Sequence, residues 1–159
     1  MLKLLRIDDR LIHGQVAFSW VAATNVSRII VGNDEYANNK MLKMTLSIGK
    51  PPNIKMDVLQ LIETIELLNS GNVNLEKTMV VVKDVEDALT LCKKVDDIER
   101  VCLGGVRDGN GKKLVHSQVF LSTEEIEMIK EMIELGKDVF AQDVPANSKI
   151  SGTEIINKY

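Results

Sequence analysis

Met79-Val80-Val81-Val82 is apolar at every position and lies between Lys77-Thr78 and Lys83-Asp84. A strand with one wet face alternates apolar and polar residues. A run with no polar side requires cover on both faces, which is the condition of a central strand in a parallel sheet. The rest of the chain follows the same logic. Leu2–Ile7, Arg28–Gly32, Ile54–Val58, Arg100–Leu103 and Asp138–Gln142 also read as strands, with segments of helical periodicity between most of them. Alternating strands and helices predict right-handed crossovers. The fold class is therefore α/β: an open, mostly parallel sheet with helices on both faces. No linker or repeat interrupts residues 1–159, which read as a single domain.

The helical segments carry their own signals. A helix from Gly14 to about Ala23 places Val16, Ala17, Trp20 and Val21 on one face. Asn33-Asp34 caps the next, in which Met41, Met44 and Ile48 recur at helical spacing and are expected to pack inward. Gly49 and Pro51-Pro52 end it. Leu61, Ile62, Ile65 and Leu68 form the inward set of a third helix, and Val85, Ala88, Leu89, Cys92 and Val95 that of a fourth, capped by Asp84. Ser122-Thr123-Glu124-Glu125 is a capping box opening a helix with Ile126, Ile129 and Ile133 on one side and solvated glutamates on the other. Met128 and Met132 are expected to pack in the core or between helices. Lys113–Leu121 contains one or two short extended pieces, and Pro145–Tyr159 a short final helix.

Ligand sites in such sheets lie beyond the carboxyl ends of the strands. Four stretches fall on that edge: Arg6–His13, Asn33-Asp34, Lys83-Asp84 and Gly104-Gly105. The first is the densest in chemistry. Arg6-Ile7-Asp8-Asp9-Arg10-Leu11-Ile12-His13-Gly14 sets two arginines, two aspartates and a histidine between a strand and a helix N-terminus. Unpaired N–H groups and the helix dipole favour an anion there, with Gly14 and Arg6 as candidate phosphate-binding residues. A neutral imidazole at His13 can attack phosphorus through one ring nitrogen while the other is held by an acceptor. Arg10 offers a planar fork of donors to phosphoryl oxygens. The plain alternatives are a capping or surface histidine and an arginine paired with Asp8 or Asp9. Both aspartates read as structural, because a carboxylate facing a phosphoryl group would oppose binding.

The contiguous run RIDDRLIHGQV resembles the phosphorylation-site signature of the mannose/fructose/sorbose class of enzyme IIB components of the bacterial sugar phosphotransferase system. The similarity continues through NVSRIIVGNDEYAN, Pro51-Pro52 and Gly104-Gly105, and covers essentially the whole chain. The resemblance implies a seven-stranded sheet with one antiparallel strand. It implies phosphorylation of His13, at Nδ1, by a phosphohistidine on the IIA protein, with Arg10 stabilising the phosphoryl group. Transfer to a hexose then occurs during uptake through the membrane IIC/IID permease. Such a protein is expected to be cytoplasmic and peripheral to the membrane. A phosphoramidate donor is already activated, so no nucleotide cofactor or obligatory metal is expected. The main alternative is a regulatory phosphohistidine relay or binding module that never delivers phosphate to a sugar. Homo-oligomerisation and the identity of the sugar stay open.

Other classes are disfavoured. A net charge of −3 gives no footprint for nucleic acid. No apolar run approaches the roughly eighteen residues that would span a membrane, and the start is too short an apolar block for a signal peptide. Cys92 and Cys102 fall in helix and strand patterns and read as buried thiols suited to a reducing compartment. Two histidines without a cysteine pair argue against zinc. Gly104–Lys113 is polar and glycine-rich but fails the G-x-x-x-x-G-K-[ST] test, since Lys113 replaces Ser/Thr. It reads as a turn and hairpin tip whose Gly104-Gly105 lets the backbone approach the His13 loop. His116 reads as incidental.

Overall fold

The computed structural model describes residues 1–159. Its main sheet contains β1 (Leu4–Asp8), β2 (Arg28–Gly32), β3 (Lys55–Leu59), β4 (Thr78–Val82), β5 (Arg100–Gly105), β8 (Asp138–Ala141) and β9 (Ile150–Ser151). β6 (Lys113–His116) and β7 (Val119–Leu121) form a separate antiparallel hairpin. The sheet order is β3-β2-β4-β1-β5-β8-β9. Every neighbouring pair is parallel except β8 with β9. This is the open, mostly parallel seven-stranded sheet, and the antiparallel strand is the short β9. Two residues are too few to carry a period, so β9 lies unannounced in a tail that reads as helix alone.

The apolar run of β4 lies at the heart of the sheet, and all five of its residues are buried. Its side chains alternate between two layers. Val80 and Val82 join the core beneath α4 (Leu61–Asn69), α5 (Val85–Lys94), α6 (Thr123–Glu134) and α7 (Gly152–Lys158). Met79 and Val81 join the core beneath α1 (Gly14–Thr24) and α3 (Lys40–Ile48). The topology explains this division. The connections β1 to β2 and β2 to β3 run toward the β3 edge, whereas those ending at β4, β5 and β8 run the other way. Right-handed crossovers running in opposite directions place their helices on opposite faces.

Most inward sets pack as the periodicity predicts. Ala17 and Trp20, the α5 set, Ile126, Ile129 and Met132 are buried, and Val16, Val21, Ile133 and Met128 pack partly against the cores. Cys92 and Cys102 are buried free thiols, each pushed up to about 11 by burial. One expectation is corrected. Met41, Met44 and Ile48 face solvent, with exposures of 78%, 68% and 87%. Periodicity identifies an apolar stripe and not its direction. Leu42 and Leu46, four apart, form a second stripe, and the core takes that one, leaving Leu46 3% exposed. Ile62 on α4 is likewise exposed, while Thr64 and Leu68 turn inward. The segment after Asn33 is also two helices. The side chains of Asn33 and Asn39 each accept a first-turn N–H, from Tyr36 and Leu42, which starts α2 (Asp34–Ala37) and α3 separately.

The layers differ in charge. No Asp or Glu occurs from Arg10 through Asn33 or from Tyr36 through Met56, and these stretches hold α1 and α3. The opposite layer carries carboxylates on each of its helices, including Glu63, Asp87, Glu127 and Glu154. No helix is long and apolar enough to cross a membrane.

Candidate active site

The chain leaves β1 toward one edge of the sheet and β5 toward the other, so a crevice opens between their carboxyl ends. The loop after β1 fills it. The Asp9 N–H donates to the Gly105 carbonyl at 2.9 Å, and the Leu11 N–H to the Asp8 carbonyl at 2.9 Å. Leu11 is held at φ 60°, an uncommon conformation for a bulky residue, and it is nearly fully buried. Such a backbone costs about 1–3 kcal/mol and persists only where its surroundings over-determine it.

Buried groups build the floor. Arg6 is 3% exposed and lies 5.0 Å over the Trp20 ring. Its Nη1 donates to the Gln142 carbonyl at 3.1 Å, and its Nη2 to the Asp143 carbonyl at 2.9 Å and Asp8 Oδ2 at 3.1 Å. Trp20 Nε1 donates to the same Asp143 carbonyl at 2.9 Å. Gly104 makes room for this arrangement, since a Cβ there would overlap the Arg6 guanidinium. A buried charge is tolerable only when paired and hydrogen-bonded, and Arg6 and Asp8 satisfy one another.

Asp8 also fixes Arg10. Its Oδ1 accepts the Arg10 backbone N–H at 3.1 Å and Nε at 2.9 Å, and its Oδ2 accepts Nη2 at 2.9 Å. This side-chain hydrogen bonding holds the Arg10 guanidinium pKa above its ordinary value against the opposing effect of burial. The bidentate edge of Arg10 is thus on Asp8, and Nη1 remains, 3.5 Å from His13 Nδ1. A guanidinium only donates, so this approach suits a neutral imidazole with its lone pair on Nδ1. The distance is long for a hydrogen bond and leaves the nitrogen accessible.

His13 is exposed and stands at the N-cap of α1, where its side chain makes no capping hydrogen bond. The Val16 N–H turns to the His13 carbonyl at 3.0 Å, and the Gly14 and Gln15 N–H groups receive no acceptor from the imidazole. Gly14 opens the helix at φ +26°, with nothing within 4 Å of where a Cβ would project. The backbone next to the imidazole is consequently open to an incoming anion.

Asp9 faces the other way. Its Oδ2 accepts the Arg107 backbone N–H at 2.8 Å and Nε at 2.9 Å, fastening the loop after β5 to the loop after β1. A cleft of about 520 Å³ lies beyond, bordered by Asp9, Asn33, Lys83, Asp84 and Arg107 among others. Three of the sequence-predicted edge stretches meet there, and the fourth, Gly105, lines an adjoining hollow with Asp9 and Arg10. His116 lies apart, 3.1 Å from the Ser148 carbonyl through Nε2.

The structure thus brings His13, Gly14 and Arg10 together and sets Arg6 beneath them, with its donors turned to Asp8 and the Gln142-Asp143 carbonyls. Those carbonyls, Trp20 and Arg107 were not among the sequence candidates. Their contributions are backbone acceptors, stacking and loop fastening, none of which leaves a local motif.

Residues 2–159 match the family described as the sorbose subfamily IIB component of the PTS system. The chain belongs to that family. This IIB component is 34% identical over 163 residues to a "Probable phosphotransferase enzyme IIB component" of Streptococcus pyogenes serotype M6, covering 99% of this chain and 100% of the relative. It is also 34% identical over 155 residues to the mannose-specific EIIAB component of Escherichia coli K12, covering 98% of this chain and 48% of that longer protein. Among solved structures, the IIBSor domain of the Klebsiella pneumoniae sorbose permease superposes with a TM-score of 0.86 at 28% identity, over 99% of this chain and 95% of that one. The IIB component is accordingly a phosphotransfer domain of the sugar phosphotransferase system.

Proposed function

We propose that His13 Nδ1 is the phosphoryl carrier between the IIA protein and a sugar. The Nδ1 lone pair attacks phosphorus while the P–N bond to the donor histidine breaks, and the donor nitrogen keeps that electron pair. In the second step a hexose hydroxyl oxygen attacks, the bond to His13 Nδ1 breaks, and the hydroxyl proton passes to a base outside this chain. The acceptor sugar is presented by the IIC/IID permease, so the protein works in the cytoplasm at the membrane surface without entering it.

The observation that carries this proposal is the Arg10–His13 pair at an open helix N-terminus, with Arg10 held by a buried Asp8. Phosphoryl transfer depends on positioning and charge stabilisation. Arg10 Nη1 and the N–H groups of Gly14 and Gln15 supply both for a group on Nδ1. Arg6 acts indirectly here: it orients Asp8, which orients Arg10. The phosphoramidate carries its own driving force, so neither a nucleotide nor a metal is required of this domain.

Incubation with phosphorylated IIA should label the protein on His13 through an acid-labile, alkali-stable bond. Label that persists in His13→Ala, or that resists acid, would overturn the assignment.

A further inference from the structure

We infer that the outward stripe of α3, together with Phe18 of α1, is the docking surface for the phosphorylated IIA donor. This rests on the proposal that His13 is the carrier. Met41, Met44 and Ile48 stand at spacings of three and four on one helix face and are among the most exposed large apolar residues of the chain. Phe18, 52% exposed, lies one turn into the helix that His13 caps. The two elements meet at the site, because Gly49 packs against Ile12 and the Gly14 nitrogen on either side of His13.

A donor must bring its phosphorylated nitrogen to His13, so its footprint is centred there. A standard interface covers about 800 Å² on each partner, a disc of radius about 16 Å. Ile48 directly precedes Gly49, and Met41 lies about 11 Å along the helix from Ile48 at about 1.5 Å per residue, so the stripe starts beside the His13 loop and extends across a distance shorter than the radius of that disc. Apolar residues at the centre and charges at the rim are the usual arrangement of such a surface.

Charge selects the occupant. α3 and its flanks carry Lys40, Lys43 and Lys50 and no carboxylate, and the two acids of the preceding α2 turn elsewhere, Asp34 accepting the Leu61 N–H at 2.8 Å and Glu35 lying 3.9 Å from Lys83. A second copy of this chain, paired isologously, would set these lysines against themselves. The permease presents a neutral sugar. The phosphorylated donor alone must bring anionic charge to this face to react, and the phosphoryl group it carries complements the lysines.

The test compares donors of two sizes. Second-order transfer from phosphorylated IIA should fall ten-fold or more in Met44→Asp and Ile48→Asp, and three-fold or more in the uncharged Ile48→Ser. Labelling of His13 by inorganic phosphoramidate, whose leaving group is ammonia, should be unchanged, as should thermal melting. Ile62→Asp, on the opposite layer, should transfer normally. If the aspartate variants melt early, Ile48→Ser decides alone. Transfer within two-fold of wild type would overturn the docking surface, and so would equal losses with both donors. A defect confined to sugar phosphorylation by membranes would give the stripe to the permease. Wild-type protein that neither donor labels would overturn the His13 proposal itself, a result distinguishable from normal labelling with unaffected variants.

Discussion

Arg10 shows how little freedom one residue retains when its partner is buried. Asp8 takes Nε, Nη2 and the backbone N–H, leaving Nη1 directed at the imidazole. Lysine has a single charged head and cannot engage Asp8 and a phosphoryl oxygen from two directions. A charge-assisted hydrogen bond contributes roughly 1.5–3 kcal/mol, and each 1.36 kcal/mol is about ten-fold in rate. Arg10→Lys should therefore slow single-turnover transfer from phosphorylated IIA by about ten-fold or more, with His13 still labelled on long incubation. Normal rates in that variant would exclude Arg10 from the chemistry, and a large fall in melting temperature would assign it to folding. The motif placed Arg10 and His13 together, because they are three apart on one turn. It could not reveal that Arg6 is engaged elsewhere, since its carbonyl partners are 136 and 137 residues away.

Among the elements, the start of α5 carries a cost that its sequence signals only in part. Asp84 was readable as a cap, and its carboxylate does accept the Asp87 N–H at 2.9 Å. Asp87 itself is pushed up from 3.8 to about 6, first by burial and then by the charges of Asp84, Asp34 and Glu86. A raised carboxylate pKa means the fold disfavours the ionised form. The associated stability is fully present below 3.8 and is lost as pH rises through about 6. Asp87→Asn should thus gain stability relative to wild type as pH rises from 3.5 to 8, by about 1 kcal/mol after discounting for solvent screening. That corresponds to a few degrees in melting temperature, and a difference that stays flat with pH would refute the linkage. Elements were legible where a local pattern had one solution. β4 had to be covered on both faces, and Ser122 with Glu125 had to open a helix. α3 offered two apolar stripes, and the choice between them was made by packing against the sheet. Asn39 was equally silent, because a second cap so soon after Asn33 looks like helix interior.

At the scale of the molecule, one sheet separates two cores that share its strands. Val80 and Val82 serve one core and Met79 and Val81 the other, so neither layer can leave without wetting the strand beneath its neighbour. Trp20 is the only tryptophan and lies in the smaller core, beneath Arg6. Its fluorescence in urea should change at the same midpoint as far-UV circular dichroism, and two separate midpoints would show the layers unfolding independently. The unequal charge of those layers has a consequence at a distance. With most of the helical carboxylates on α4 to α7, α1 uncharged and α3 bearing only Lys40 and Lys43, the protein is an electric dipole with a component across the sheet. A charged visitor exerts a torque on it across a gap of about 8 Å at physiological salt. The protein therefore turns toward an anionic neighbour while both are still diffusing, and the side it turns is the one that carries His13.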